Sequence, residues 1–155
     1  RVRPPRGGAM GGEGATASGL CILSWNVAGW APTCKLISEH YGGVEAWLER
    51  MRCDVLCLQE VKLTRAKLEG GAAAFGASAR GWDTFWACNR SKKPGVSVGL
   101  NGVATFCRKG LARAADASPL GDEELDEQGR CLVTDHGAFA VVNVYAPSGS
   151  HELSS

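Results

Sequence analysis

Asp54-Val55-Leu56-Cys57-Leu58-Gln59-Glu60-Val61-Lys62 is the stretch on which the fold turns. A short apolar run runs straight into Gln59, Glu60 and Lys62. Such a run reads as a strand buried on both faces. Polar residues at the exit of a buried strand sit at the sheet edge, where ligands of α/β proteins bind. Glu60 is then a carboxylate delivered to that edge by a rigid element. The same pattern also suits a strand that simply ends, with its next residues solvated, so the neighbouring segments must discriminate.

On the N-terminal side, Leu20-Cys21-Ile22-Leu23-Ser24-Trp25 is a second strand-like run, ending at Asn26. Val27-Ala28-Gly29 follows as a loop, and Thr33 suits a helix cap. Leu36, Ile37, Val44, Trp47, Leu48 and Met51 then give helical spacing, with Gly42-Gly43 as a weak point. Strand, helix and strand make a βαβ-like unit, or part of a mixed sheet with a helix on one face.

On the C-terminal side, Thr64 to Ala73 reads as a short helix or surface loop. Trp82 to Cys88 is rich in aromatics and reads as a strand. Asn89 to Asn101 reads as a loop. Gly102 to Arg108 reads as a strand, and Leu111 to Leu125 as a connection whose acidic Asp122-Glu123-Glu124 is solvated. Arg130–Asp135 and Ala138–Tyr145 form two strand-like runs around His136-Gly137, a two-residue hairpin connection with Gly second. The last run stops at Ala146-Pro147, because Pro has no N–H for the ladder.

Composition narrows the classes. The chain has 155 residues, enough for one domain with a core, and a formal net charge of +1 gives no global basic signature for nucleic acid. No apolar run approaches the roughly 20 residues that span a bilayer, so no membrane partner is expected. Residues 1–18 form a tail: Arg1 to Gly14 carries Arg, Pro and Gly without apolar periodicity and reads as disordered, or as the end of an organelle-targeting segment. Residues 19–155 are the folded part. The 7 Cys are an odd number with no Cys-x-x-Cys. Cys21, Cys57, Cys107 and Cys131 fall in strand-like runs, which argues for a reducing compartment rather than a disulfide framework. Cys53 and Cys57 lack the further ligands that zinc needs.

Three apolar strands deliver polar groups at their ends: Asn26, Glu60 and Tyr145. In one sheet with compatible directions, an amide oxygen, a carboxylate and a phenol converge at one edge. That set suits a hard divalent cation, which takes oxygen ligands and leaves positions for water and phosphate. Asn, Glu and Tyr after strands are also common in sheet proteins of no such function.

The ordered set of motifs discriminates. Ser24-Trp25-Asn26-Val27-x-Gly29, Asp54–Glu60-x-Lys62, Gly102-Val103-Ala104-Thr105-Phe106, Gly129-Arg130 and Asn143-Val144-Tyr145-x-Pro147 resemble the exonuclease III type of apurinic/apyrimidinic (AP) endonuclease. Gly102–Cys107 and Leu125–Arg130 look most like its AP endonuclease 2 branch. The resemblance implies an α/β (α+β) sandwich of the endonuclease/exonuclease/phosphatase type, of which this chain is expected to cover roughly the first sheet and its flanking helices. One face of that sheet would then expose apolar surface.

By position, the resemblance makes Glu60 a direct Mg²⁺ ligand, with Mn²⁺ an alternative metal. Asn26 binds the ion or orients groups around it. Tyr145 is the catalytic tyrosine set against the target phosphate. Lys62 tunes the carboxylate, and Arg130 is structural or phosphate-facing. The implied partner is double-stranded DNA with abasic sites or blocked 3′ ends, and the implied activity is Mg²⁺-dependent DNA-repair phosphodiester hydrolysis. The implied compartment is the nucleus, with mitochondrion or plastid as the alternative from the Arg-rich start.

The sequence departs from the family at Ala28, where Asp or Asn is usual, at Trp30-Ala31-Pro32, where many members offer a basic DNA contact, and at the Lys92–Leu100 loop, which is longer than usual. The family's later Gly-Asp-x-Asn and Ser-Asp-His blocks are not found before Ser155. The expectation is therefore the N-terminal half of a domain, inactive by itself. Two other readings stay open: a superfamily hydrolase acting on RNA or a phosphoinositide, and a non-catalytic fragment binding DNA or protein.

Overall fold

The structure, a computed structural model, describes residues 19–91 and 99–146. The Asp54 stretch forms β2, Val55–Gln59, with all five residues buried. It is an inner strand of a four-stranded sheet in the order β1-β2-β4-β3, where β1 is Ile22–Asn26, β3 is Trp82–Ala87 and β4 is Val103–Arg108. The pair β1–β2 is parallel and in register from Ile22↔Val55 to Asn26↔Gln59. β4 runs antiparallel to both β2 and β3.

The crossover between β1 and β2 is helical, as its spacing requires, but it is two helices. α1 spans Trp30–Tyr41 and α2 spans Val44–Arg50. The break falls at Gly42 and Gly43, whose φ values of 80° and 131° suit glycine alone among common residues. Thr33 is not the cap. The helix starts three residues earlier, and the Thr33 hydroxyl donates back to Gly29 O at 2.8 Å inside the first turn. Thr64 does cap α3, Arg65–Gly70, by accepting from Lys67 N.

Leu111–Leu125 is more ordered than a connection. It holds β5, Ala114–Asp116, and leads into α4, Glu123–Glu127. The acidic run is a helix start: Asp122 Oδ1 accepts from Leu125 N at 3.0 Å, and Glu123 and Glu124 follow in the first turn. Acidic side chains suit that end because unpaired N–H groups point there. Then come β6, Cys131–Asp135, and β7, Ala140–Val144, paired antiparallel. Their turn is shifted one residue from the expectation. His136 N–H donates to Phe139 O at 2.9 Å, leaving Gly137-Ala138 as the two central residues, with Gly137 at φ 84°.

Strands β5, β6 and β7 form a second, three-stranded sheet in that order. The chain thus holds more than the first sheet, and the second sheet lies against it. Val141 of β7 packs with Val55, Cys57 and Cys107, and Leu132 of β6 packs with Ala87 and Val103. The helices cover the opposite face, where Trp30, Leu48, Leu56, Leu58 and Phe106 belong to one buried cluster. Among the described residues, exposed large apolar side chains are scattered over strands and helices rather than gathered on one face of the first sheet: Ile22 and Trp25 on β1, Leu36 on α1, Leu125 on α4, Val142 and Val144 on β7.

All seven cysteines are free. Burial pushes the Cys34 and Cys107 thiols up to about 12, which keeps them as unreactive thiols. No helix among the described residues is long and apolar enough to cross a membrane. The Lys92–Leu100 loop falls largely, and the tail at 1–18 wholly, outside the described residues, as does Pro147.

Phe106 joins the two strands of the core to the helices. It is fully buried and meets Trp30 and Trp86 edge-on at 6.0 and 5.4 Å between ring centroids. Phe106→Ala is expected to lower unfolding free energy in urea by about 3–5 kcal/mol. A loss under about 1 kcal/mol would show that this cluster is not the core.

Candidate active site

Parallel pairing places the ends of β1 and β2 side by side. Asn26 and Gln59 are register partners, and Glu60 is the next residue after β2. Asn26 Nδ2 donates to Glu60 Oε1 at 2.7 Å, while Asn26 Oδ1 accepts from Ala28 N–H at 3.0 Å. The amide is thereby oriented: its nitrogen faces the carboxylate, and its oxygen folds the following loop. Lys62 Nζ lies 3.0 Å from Glu60 Oε2. The Tyr145 side chain stands near the same carboxylate and, after Asn26 and Lys62, contributes to lowering its pKa. Three of the residues expected at the site, Asn26, Lys62 and Tyr145, thus converge on the fourth, Glu60.

The backbone turns sharply to allow this. Glu60 and Lys62 both have positive φ, 53° and 50°, a region that non-glycine residues seldom occupy. The segment entering β4 holds them there. Val61 N–H donates to Gly102 O at 3.0 Å, and Lys62 N–H donates to Asn101 O at 2.9 Å. Val61, between them, is fully buried. Alternate residues therefore place Glu60 and Lys62 together on the outer side, anchored by an apolar side chain.

Hydrogen bonding from Asn26, then from Lys62, holds the Glu60 carboxyl below the usual carboxylate range. A lowered value favours the ionised form in the folded protein. The associated stabilisation is complete above the ordinary carboxylate pKa and is lost as pH falls through the lowered one.

Arg130 stands behind the tyrosine rather than beside the carboxylate. Its guanidinium carbon lies 5.2 Å from the Tyr145 ring centroid, and its Nε donates to Gln128 Oε1 at 2.8 Å. Its Nη1 is buried with no hydrogen-bond partner among the described residues. Tyr145 N–H donates to Arg130 O at 2.8 Å, which continues the β6–β7 pairing to the site.

Ala28 also has a positive φ, 51°. Asp and Asn tolerate that region better than Ala does, so the backbone at this position has the shape those residues favour without their side-chain oxygen.

Reading the sequence strand by strand misses the layer directly behind the site. Gln59 Nε2 donates to Asn143 Oδ1 at 2.8 Å and to Ser24 Oγ at 3.1 Å. A polar residue amid the apolar Phe139–Tyr145 run was the available signal, but its partners lie 38 to 85 residues away in sequence.

Among the described residues, no three His, Cys, Asp or Glu side chains gather as a metal site. The oxygen donors at the strand ends are one carboxylate, one amide and one phenol. Both Glu60 oxygens already accept hydrogen bonds, yet each keeps a further lone pair. The set fits a cation that takes one or two carboxylates and completes its shell with water and phosphate.

A model of the Endonuclease/Exonuclease/phosphatase family matches residues 23–153. The chain belongs to that family. The matched span contains every residue just described. Among curated relatives, the chain is 28% identical over 163 residues to DNA-(apurinic or apyrimidinic site) endonuclease 2 of Xenopus laevis, covering 84% of this chain and 28% of that protein. It is also 28% identical to the DNA repair nuclease APEX1 of Danio rerio, over 88% of this chain and 39% of that one. Among solved structures, the catalytic domain of Xenopus laevis APE2 superposes with a TM-score of 0.58 at 24% identity, over 84% of this chain and 46% of that chain. The 3′ phosphatase NExo from Neisseria, bound to product DNA hairpin, gives 0.54, also at 24% identity, over 82% of this chain and 41% of that chain. The sandwich of mixed sheets with flanking helices is thus the family's fold. The chain spans 28% and 39% of the length of these two curated relatives and less than half of the two solved chains.

The turn at Glu60 depends on Gly102. Gly102 has φ 82°, and an added Cβ would lie 2.8 Å from Val61 Cγ2. Gly102→Ala is expected to cost about 1–3 kcal/mol in urea unfolding through strain at that turn. A stability equal to wild type would contradict the claim that this contact fixes the strand exit.

Proposed function

We propose that a protein carrying this chain is a Mg²⁺-dependent DNA-repair phosphodiesterase, cleaving at abasic sites or trimming blocked 3′ ends of double-stranded DNA. The observation that carries the reading is the convergence of Asn26, Lys62 and Tyr145 on the Glu60 carboxylate where the two sheets of a family member meet. Relatives whose names state AP-site endonuclease or DNA repair nuclease support the substrate class.

In this reading Glu60 is the residue that holds the cation, and Asn26 orients it. The bound ion would supply charge neutralisation at a phosphoryl oxygen. Lys62 keeps Glu60 ionised. Tyr145 turns its hydroxyl from the carboxylate toward a phosphate oxygen, where a donor stabilises charge that grows in the transition state. Arg130, behind the ring, holds Tyr145 at the right height. None of these groups is a free base suited to activate water: Glu60 is engaged by Asn26 and Lys62, and the others are an amide, a cation and a phenol. The 155 residues alone are therefore expected to show no turnover, and hydrolysis belongs to a polypeptide that adds a base to this half-site.

The test is cleavage of duplex DNA bearing one abasic site by a polypeptide that contains this chain within the whole domain. Cleavage should need Mg²⁺, stop with EDTA, and fall by about 10²-fold or more in Glu60→Gln, as expected when a group acting on transition-state charge is lost. Equal rates for Glu60→Gln and wild type would refute the role of Glu60. Parallel assays on RNA and inositol phosphates separate the superfamily alternative.

A further inference from the structure

We propose that Asn143, buried between the two sheets, is the positioning residue that sets Tyr145 against Glu60. The inference deepens the site described above and rests on that reading only for its catalytic meaning; the geometric coupling stands without metal or substrate.

The two groups arrive from different sheets. Glu60 follows β2 of the first sheet, and Tyr145 follows β7 of the second. Their spacing therefore depends on how far apart the sheets stand at this end. β7 is an edge strand, hydrogen-bonded to β6 alone among the described strands, so its own sheet does little to fix that gap. Side chains alternate along a strand. Val141 and Asn143 are buried, while Val142 and Val144 are exposed. Tyr145 continues the inward set.

Asn143 is 2% exposed and uses both ends of its amide across the gap. Its Nδ2 donates to Ala104 O at 2.9 Å and Leu58 O at 3.2 Å, and lies 3.3 Å from Thr105 Oγ1. Its Oδ1 accepts from Gln59 Nε2 at 2.8 Å. One side chain of the second sheet is thus tied to β2 and β4 together. Gln59 is the residue before Glu60, and Asn143 is two residues before Tyr145. The tie is one layer from the site on both sides.

The chemistry is specific to a carboxamide. Two carbonyls require donors, and the Gln59 amide requires an acceptor. A carboxylate would face the two carbonyls with negative charge. An apolar side chain of the same size would fill the space and leave the gap set by dispersion contacts, which lack the direction of hydrogen bonds. Gln59 would then keep Ser24 as its remaining acceptor. The inference therefore assigns the amide to alignment, beyond any contribution to stability.

The experiment reads the Tyr145–Glu60 coupling in this chain without metal. The protein is labelled with 3-fluorotyrosine, which gives two ¹⁹F resonances, because the chain has two tyrosines, Tyr41 and Tyr145. Tyr41 serves as the internal reference. In wild type, Glu60→Gln should move the Tyr145 resonance. In an Asn143→Leu background the same substitution should move it by about half as much or less, as for any pair whose coupling depends on a third group. Tyr41 should not move in either background. Val142→Ala, on the exposed face of the same strand, should leave the full displacement. Should Asn143→Leu fail to fold, Gln59→Leu removes one end of the tie and should reduce the displacement in the same direction. A displacement in Asn143→Leu or Gln59→Leu equal to wild type would overturn the proposal. A Tyr145 resonance blind to Glu60→Gln in wild type would instead refute the Tyr145–Glu60 contact of the site itself.

Discussion

The Asn26–Glu60 hydrogen bond is the contact on which the rest of this structure bears. It exists because β1 and β2 are parallel and in register, so that two strand ends stop level with each other. Parallel pairing in turn requires the helical crossover of α1 and α2, and the crossover buries the Trp30–Leu48–Phe106 cluster that makes the sheet rigid. A short polar contact at the strand ends is thus the visible end of a core built from β1 to β4, Ile22 to Arg108. The carboxylate is then fixed in direction by a backbone turn that non-glycine residues seldom adopt, held by the segment entering β4.

Charge at the site is arranged to be compensated rather than neutral. Glu60 receives an amide N–H from Asn26 and the Lys62 ammonium, and these, with Tyr145 as a lesser cause, hold its carboxyl below the usual range. A carboxylate stabilised in this way remains charged while still offering lone pairs outward. That is the state a hard cation requires of its ligand. The second sheet contributes Tyr145 and, behind it, Arg130 against the ring. The site is therefore a property of the sandwich and not of either sheet, which explains why a buried inter-sheet amide has leverage over it.

Much of this was legible in the sequence where information is local. The buried run Val55–Leu58 ending in Gln59-Glu60 read as a central strand and is one. The β6–β7 hairpin followed from two apolar runs and a glycine, with an error of one residue because Gly137 takes the first central position. Asn26, Glu60 and Tyr145 stood out as polar groups at strand ends, and the structure brings them together. The illegible parts are long-range or short. β5 has three residues, all exposed, and gives no periodicity to detect. The packing of the second sheet on the first is set by contacts across dozens of residues. Asn143 looked like one polar interruption in an apolar strand, since nothing local reveals that its partners lie on β2 and β4.

The central claim is that Glu60 is the carboxylate of a divalent-cation site formed where the sheets meet. The most direct measurement is Mn²⁺-induced paramagnetic broadening of backbone amide resonances in this chain at low ion concentration. The account predicts broadening that spreads from Asn26, Glu60 and Tyr145 and disappears in Glu60→Gln. Broadening centred instead on the acidic Asp122–Glu124 run, and unchanged by Glu60→Gln, would contradict it.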